Sequence, residues 1–278
     1  MAVTFNEDDV EREPLADGAA RRRLLTEARV AGTKILLDRV DLAPGASLAI
    51  GVASTDLAWL QILDGGASLN ADDRTIALGA SHIVFLPPGA RASLTATAET
   101  ALLYAQVPHA GRFDRDFDPA ALSLRVVDWK REPVLDSQYD ARKRVYVVTP
   151  KLFGTRAVKG EIILYPPDTE GANHHHEGAE HFMYVLRGSG TAYANESPIP
   201  VRKGDLIYYG DRERHYLHSE GAEEMAFVEF FVPGEYKTVW AEGAPVCTWN
   251  PTGRDLEGRT PARQIRGHSS AAAVPADV

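Results

Sequence analysis

The sequence predicts an all-β chain built as two tandem barrels. Three observations lead there: short apolar segments closely spaced between turn residues, an internal repeat of constant offset, and histidines clustered in one half of that repeat. In the first half the expected strands are 35–40, 47–52, 59–63, 76–78, 83–86, 93–96 and 102–107. Pro44-Gly45, Asp64-Gly65-Gly66, Asp72-Asp73 and Pro87-Pro88-Gly89 separate them. In the second half they are 145–148, 160–165, 182–186, 191–194, 199–201, 206–209, 215–218 and 225–232. The repeat runs through both sets. Pro167 stands 123 positions after Pro44 (167 − 44), Gly188 the same distance after Gly65 (188 − 65), and 206–209 after 83–86 (206 − 83).

Around these cores, residues 1–30 read as a polar N-terminal arm with a short helix expected near 19–28, its Arg21-Arg22-Arg23 triplet forming a solvated face. Residues 31–108 form the first barrel and 109–143 a charged, proline-containing linker with short helices near 119–122. Residues 144–240 form the second barrel, and 241–278 a Gly-, Pro-, Arg- and Ala-rich tail.

Composition narrows the function classes. The chain has 278 residues, 44% hydrophobic and 25% charged, in the range of globular proteins. A formal charge of −9 argues against a nucleic-acid partner, which needs a basic face to displace counterions. Cys247 is the single cysteine, so no disulfide forms within the chain, and a small buried hydrophobe is its expected role. The start carries acids where a secretory signal carries bases, and no apolar run has the length of a membrane span. The expectation is a cytoplasmic protein with no membrane partner.

The chemistry-bearing run is Asn173-His174-His175-His176-Glu177-Gly178-Ala179-Glu180-His181-Phe182-Met183-Tyr184-Val185-Leu186-Arg187-Gly188, followed by His215 further along. Alternate residues of a strand share a face, so His174 and His176 converge while His175 points away. His181 opens the next strand and His215 a later one. Clustered histidines at ligand spacing are a metal signature. Subtracting 123 places Gly51, Ala53, Ala58 and Ala92 in the first barrel's corresponding positions, and none of these binds metal. Glu229 alternates with Met225, Phe227 and Phe231. A carboxylate turned inward there is a general-base candidate, since burial raises its pKa. Met183 shares a face with His181, and Arg156, Tyr165 and Tyr193 are further substrate-contact candidates.

These residues resemble the two motifs of the cupin superfamily. The first runs His-x-His, four residues, Glu, six residues, Gly. His174, His176, His181 and Gly188 fall on it, with His181 in the Glu position and a germin-like Gly178-Ala179 turn. In the second motif Gly204 and His215 match, while Gly210 and Arg212 replace its Pro and Gly. The resemblance implies two jelly-roll (double-stranded β-helix) barrels, the first degenerate and structural. It also implies one divalent transition metal per chain: iron first, then manganese, nickel, copper or zinc. An alternative register, His175 and Glu177 with His181, is similar to ureidoglycine aminohydrolase with its first Glu and His exchanged. Ring-, diketone- and thiol-cleaving cupins imply a dioxygenase acting on a small anionic or enolisable substrate. The likeness to ureidoglycine aminohydrolase, a manganese bicupin, implies instead a hydrolase or isomerase. The seed globulins imply a non-catalytic binding cupin. Homodimers, common among cupins, are a further expectation.

Overall fold

The computed structural model describes residues 2–268 and 278. The chain divides into two compact units: Glu7–Trp129, and Lys130–Val278 together with the segment ending at Asn6. Each unit is a pair of antiparallel sheets. In the first, seven strands lie in the spatial order Arg125–Asp128, His82–Leu86, Leu57–Asp64, Thr100–Val107, Leu36–Leu42, Ala19–Leu25, Glu13–Ala16. A four-stranded sheet of Ser47–Gly51, Arg91–Ala96, Gly66–Ala71 and Arg74–Gly79 accompanies it.

The second unit repeats the plan. Its larger sheet runs Val3–Asn6, Asp205–Tyr209, Glu180–Arg187, Met225–Val232, Lys159–Tyr165, Lys143–Val148, Val134–Ser137, Trp249–Pro251. Its smaller sheet runs Ser197–Arg202, Ser189–Ala194, His215–Glu220, His174–Glu177, Lys237–Trp240. This is the jelly-roll architecture in both units.

The repeat is visible in the backbone. Gly65 and Gly188 have φ of +76° and +73°, in the left-handed region that L side chains rarely adopt. A Cβ at Gly65 would lie 2.0 Å from the Glu99 carbonyl oxygen, and one at Gly188 2.7 Å from Met225 Cα. Both hairpins therefore require glycine twice over. Gly188→Ala is expected to lower unfolding stability by at least ~2 kcal/mol, strain and clash combined. A urea titration checks this, and an unchanged midpoint would refute it.

Several expectations need correction. Residues 19–25 form a strand, not a helix. Ala19, Ala20, Leu24 and Leu25 are buried against the sheet, and the long-range pairing with Leu36–Leu42 overrides local helix preference. The arginine triplet is accordingly not a solvated helix face: Arg21 and Arg23 pair with Glu13, and Arg22 with Asp41. Near 119–122 there is only a 3₁₀ turn, Pro119–Ala121, capped by the Asp118 carboxylate. Residues 125–128 and 134–137 are strands, as are 249–251. The stretch 269–277 lies outside the described residues.

The first barrel's interior is filled by hydrocarbon, with Ile50, Val52, Leu60, Leu69 and Leu94 among its buried residues. Here the constant offset slips by one. Ile50 stands opposite Ala92 as His174 stands opposite His215. The inward positions matching His174 and His176 are therefore Ile50 and Val52, rather than Gly51 and Ala53, which are exposed. Branched aliphatics occupy the space that imidazoles fill in the second barrel.

Candidate metal centre and cavity

In the second barrel the two sheets bring four imidazoles together. His174 and His215 are cross-strand partners, and His176 follows on the same face of its strand. His181 reaches the cluster from the larger sheet, where Phe231 and Tyr209 are its neighbours. Ring centroids stand 4.5 Å apart for His174 and His215, 4.8 Å for His174 and His176, and 4.7 Å for His181 and His215. One ring nitrogen from each of His174, His176 and His215 lies within 4.8 Å of the others. His181 lies stacked between Phe231 and Tyr209, a fourth imidazole against this trio.

Each ring of the trio is oriented through Nδ1. His174 meets the Ala172 carbonyl at 2.8 Å, His215 the Glu213 carbonyl at 2.8 Å, and His176 the Thr238 hydroxyl at 3.2 Å. With Nδ1 so engaged, Nε2 is the nitrogen left for a ligand. The Nε2 of His215 and both nitrogens of His181 are buried without a hydrogen-bond partner. An unsatisfied buried polar group costs about 1–3 kcal/mol, so two such rings within a cluster of four imidazoles fit a divalent metal better than an empty core. Burial pushes all four imidazoles down, and for His174, His176 and His181 the adjacent imidazoles add to it. His215 falls to about 4. Neutral imidazole is the ligating form.

The alternative register faces elsewhere. His175 turns its Nε2 toward Glu177 at 3.7 Å, and Glu177 also faces Arg212 and Lys237 at 3.9 Å each. Strand parity separates this ionic set from the imidazole cluster.

The cluster opens onto a cavity of about 380 Å³. Glu229 lines it, as do Met183 and Tyr165. Arg156 and Tyr193 are not among its lining residues. Arg156 is half exposed and pairs with Glu235, while Tyr193 lies outward on its strand and stacks on Tyr216 at 4.2 Å. Substrate contact from either is therefore not supported.

What the sequence reading missed is a charged row across the larger sheet. Tyr146, Glu161, Glu229 and Met183 are successive cross-strand neighbours, as are Lys159, Phe231, His181 and Tyr209. Glu161 is 1% exposed and lies 3.1 Å from Arg144 and 3.2 Å from Lys159. Burial opposes its charge, yet these two cations overcome it and hold Glu161 at about 2. Glu229 is driven the other way: burial first, then the charge of its cross-strand neighbour Glu161, push it well above the carboxylate range. Of the two adjacent carboxyls, Glu229 is thus the one that keeps a proton. Arg142 is buried between Tyr165 and Trp249, with Asp140 at 2.7 Å and Cys247 Sγ at 3.3 Å. Cys247 is buried, as expected, but it also lines the cavity. The available signal was polar residues at 159 and 161, alternating with Ile163 and Tyr165, in a strand buried along its full length.

Residues 161–231 match the family model for the cupin domain. The protein YlbA from E. coli superposes with a TM-score of 0.65 at 15% identity, over 83% of this chain and 90% of that one. Oxalate decarboxylase from Bacillus subtilis, which contains Mn(II) centres, superposes at 0.67 and 14%, over 85% and 78%. No curated protein matches the sequence. The second unit thus carries a match to the cupin domain, the chain shares the fold of these two structures, and a histidine cluster in its second barrel could bind a metal. No described helix is long and apolar enough to cross a membrane.

Proposed function

We propose that the chain is a metal-dependent enzyme of the second barrel, a dioxygenase acting on a small anionic, enolisable organic substrate. The observation that carries this reading is the charge balance of the cavity beside the neutral imidazoles. Arg144 and Lys159 face one ionised carboxylate, Glu161, because Glu229 keeps its proton; Arg142 is matched by Asp140. Arg142, Arg144 and Lys159 line the cavity, and neutral ligands do not offset a metal's own charge, so an organic anion is the complementary occupant.

His174, His176 and His215, with His181 adjacent, would hold the ion. A redox-active divalent metal there would supply activation of O₂ and polarise a substrate oxygen. The chain's own groups do the rest. Tyr236 and Phe231 pack on His176 at 4.6 and 5.0 Å and Trp240 on His174 at 5.1 Å, keeping water from the rings. Arg144 and Lys159 attract the anion, and the protonated Glu229 can give a proton to a developing enolate oxygen.

That same proton favours a second reading. A carboxylic acid beside a Lewis-acid site suits hydrolysis or isomerisation, and the Mn(II) of the structurally similar oxalate decarboxylase makes manganese a natural metal for it. Elemental analysis of untagged protein purified without chelators, paired with oxygen-uptake assays on enols, catechols and thiols, separates the two. Iron with substrate-dependent uptake is the expected result. Manganese or zinc, with turnover but no uptake, would replace the dioxygenase by proton-transfer chemistry. Saturable metal binding without turnover on any class would leave a binding cupin.

A further inference from the structure

His268 lies outside both motifs and beyond the last strand, yet it lines the cavity. Its ring stacks on Tyr146 at 5.8 Å, and its Nε2 lies 2.6 Å from the Tyr146 hydroxyl. Ile265, three residues earlier and 6% exposed, packs with Tyr146, Cys247 and Trp249.

The hydrogen-bond order is determined by which groups can donate. Arg144 Nη1 donates to the Tyr146 oxygen at 3.2 Å, since a guanidinium has no acceptor. The phenol's single proton is then free to go to His268 Nε2, and we take the ring to accept it there. Neutral imidazole carries its own proton on the remaining nitrogen, Nδ1. Burial, with Arg144 and Lys159 nearby, lowers His268 to about 4, so the ring is neutral at pH 7. That Nδ1 is buried and has no partner among the described residues; neither does Arg144 Nε. Two buried donors at one wall of the cavity lack acceptors.

We propose that His268 is a substrate-binding residue of the second barrel, donating its Nδ1–H to a carboxylate oxygen of the bound anion beside Arg144. This rests on the reading of the cavity as an organic-anion site. The 241–268 segment is then a wall of the site rather than a tail, and specificity for the anion's length is set by a residue distant in sequence from the metal ligands.

The test uses the full chain loaded with Zn(II), labelled with ¹⁵N-histidine, and titrated with malonate as a small dicarboxylate probe. The expected result is an Nδ1-protonated His268 whose resonance moves as malonate saturates. In His268→Ala, malonate affinity should fall about tenfold or more, with Zn(II) stoichiometry unchanged. An Nε2-protonated tautomer, or equal malonate affinity in His268→Ala, overturns the role of His268 while leaving the anion site standing. Absence of malonate binding to the wild-type protein overturns the anion reading and the proposal with it.

Discussion

His176→Ala and His215→Ala are each expected to release the metal, lowering affinity by about 10²–10³-fold. Each removes one of three nitrogens that converge within 4.8 Å. Loss of a group that only orients a ligand costs about 10–100-fold, and loss of the ligand itself should exceed that. Thr238→Val supplies the graded comparison. It removes the hydroxyl that meets His176 Nδ1 at 3.2 Å and leaves the nitrogen in place, so its effect should fall in the lower range. His175→Ala should retain full metal, because that ring turns toward Glu177 on the other face. Competition against a chromophoric chelator reads all four. Retained metal in His176→Ala together with loss in His175→Ala would reverse the register.

Strand parity also made part of this site legible in the sequence. A period of two assigns faces within a strand, so His174 and His176 could be separated from His175 before any pairing was known. The repeat located the strands on either side. Pairing across the sheet has no such local signal. Nothing near residue 161 announces that Glu229 is its partner 68 positions on (229 − 161), or that Arg144 and Lys159 flank it. The one-residue slip that puts Ile50 and Val52 inward in the first barrel has the same origin: register is decided by the neighbouring strand, not by offset. Residues 19–25 show the converse failure, where a locally helix-compatible segment is recruited as a strand. His268 carried no motif at all, and only the return of the chain to Tyr146 gives it a place.

The adjacent carboxyls Glu161 and Glu229 should respond oppositely to the same substitution. Glu161→Gln leaves Arg144 and Lys159, 18% and 4% exposed in their side chains, without their counter-charge. Removing one member of a buried ionic set costs about 3–5 kcal/mol, and that loss is expected at pH 7. Glu229→Gln replaces an already neutral carboxyl with a neutral amide of the same shape, so stability at pH 5 should hardly change. The pH dependence follows from the directions of the two shifts. Glu161 is held at about 2, below its ordinary value of 4.5. Its contribution is therefore fully present above 4.5 and is lost as pH falls through 2, so the deficit of Glu161→Gln should shrink in acid. Glu229 is raised, so its contribution is fully present below 4.5 and is lost as pH rises toward its folded-state value. Across that window the unfolded chain releases a proton that the folded chain keeps, which weakens the fold by up to about 1.4 kcal/mol per pH unit. Glu229→Gln has no such proton, so its stability relative to wild type should rise between pH 5 and 8. Thermal or urea unfolding at pH 4, 5, 7 and 8 measures both variants. Equal losses for the two at pH 7 would mean that the proton is not localised on Glu229, and the general acid assigned to the cavity would go with it.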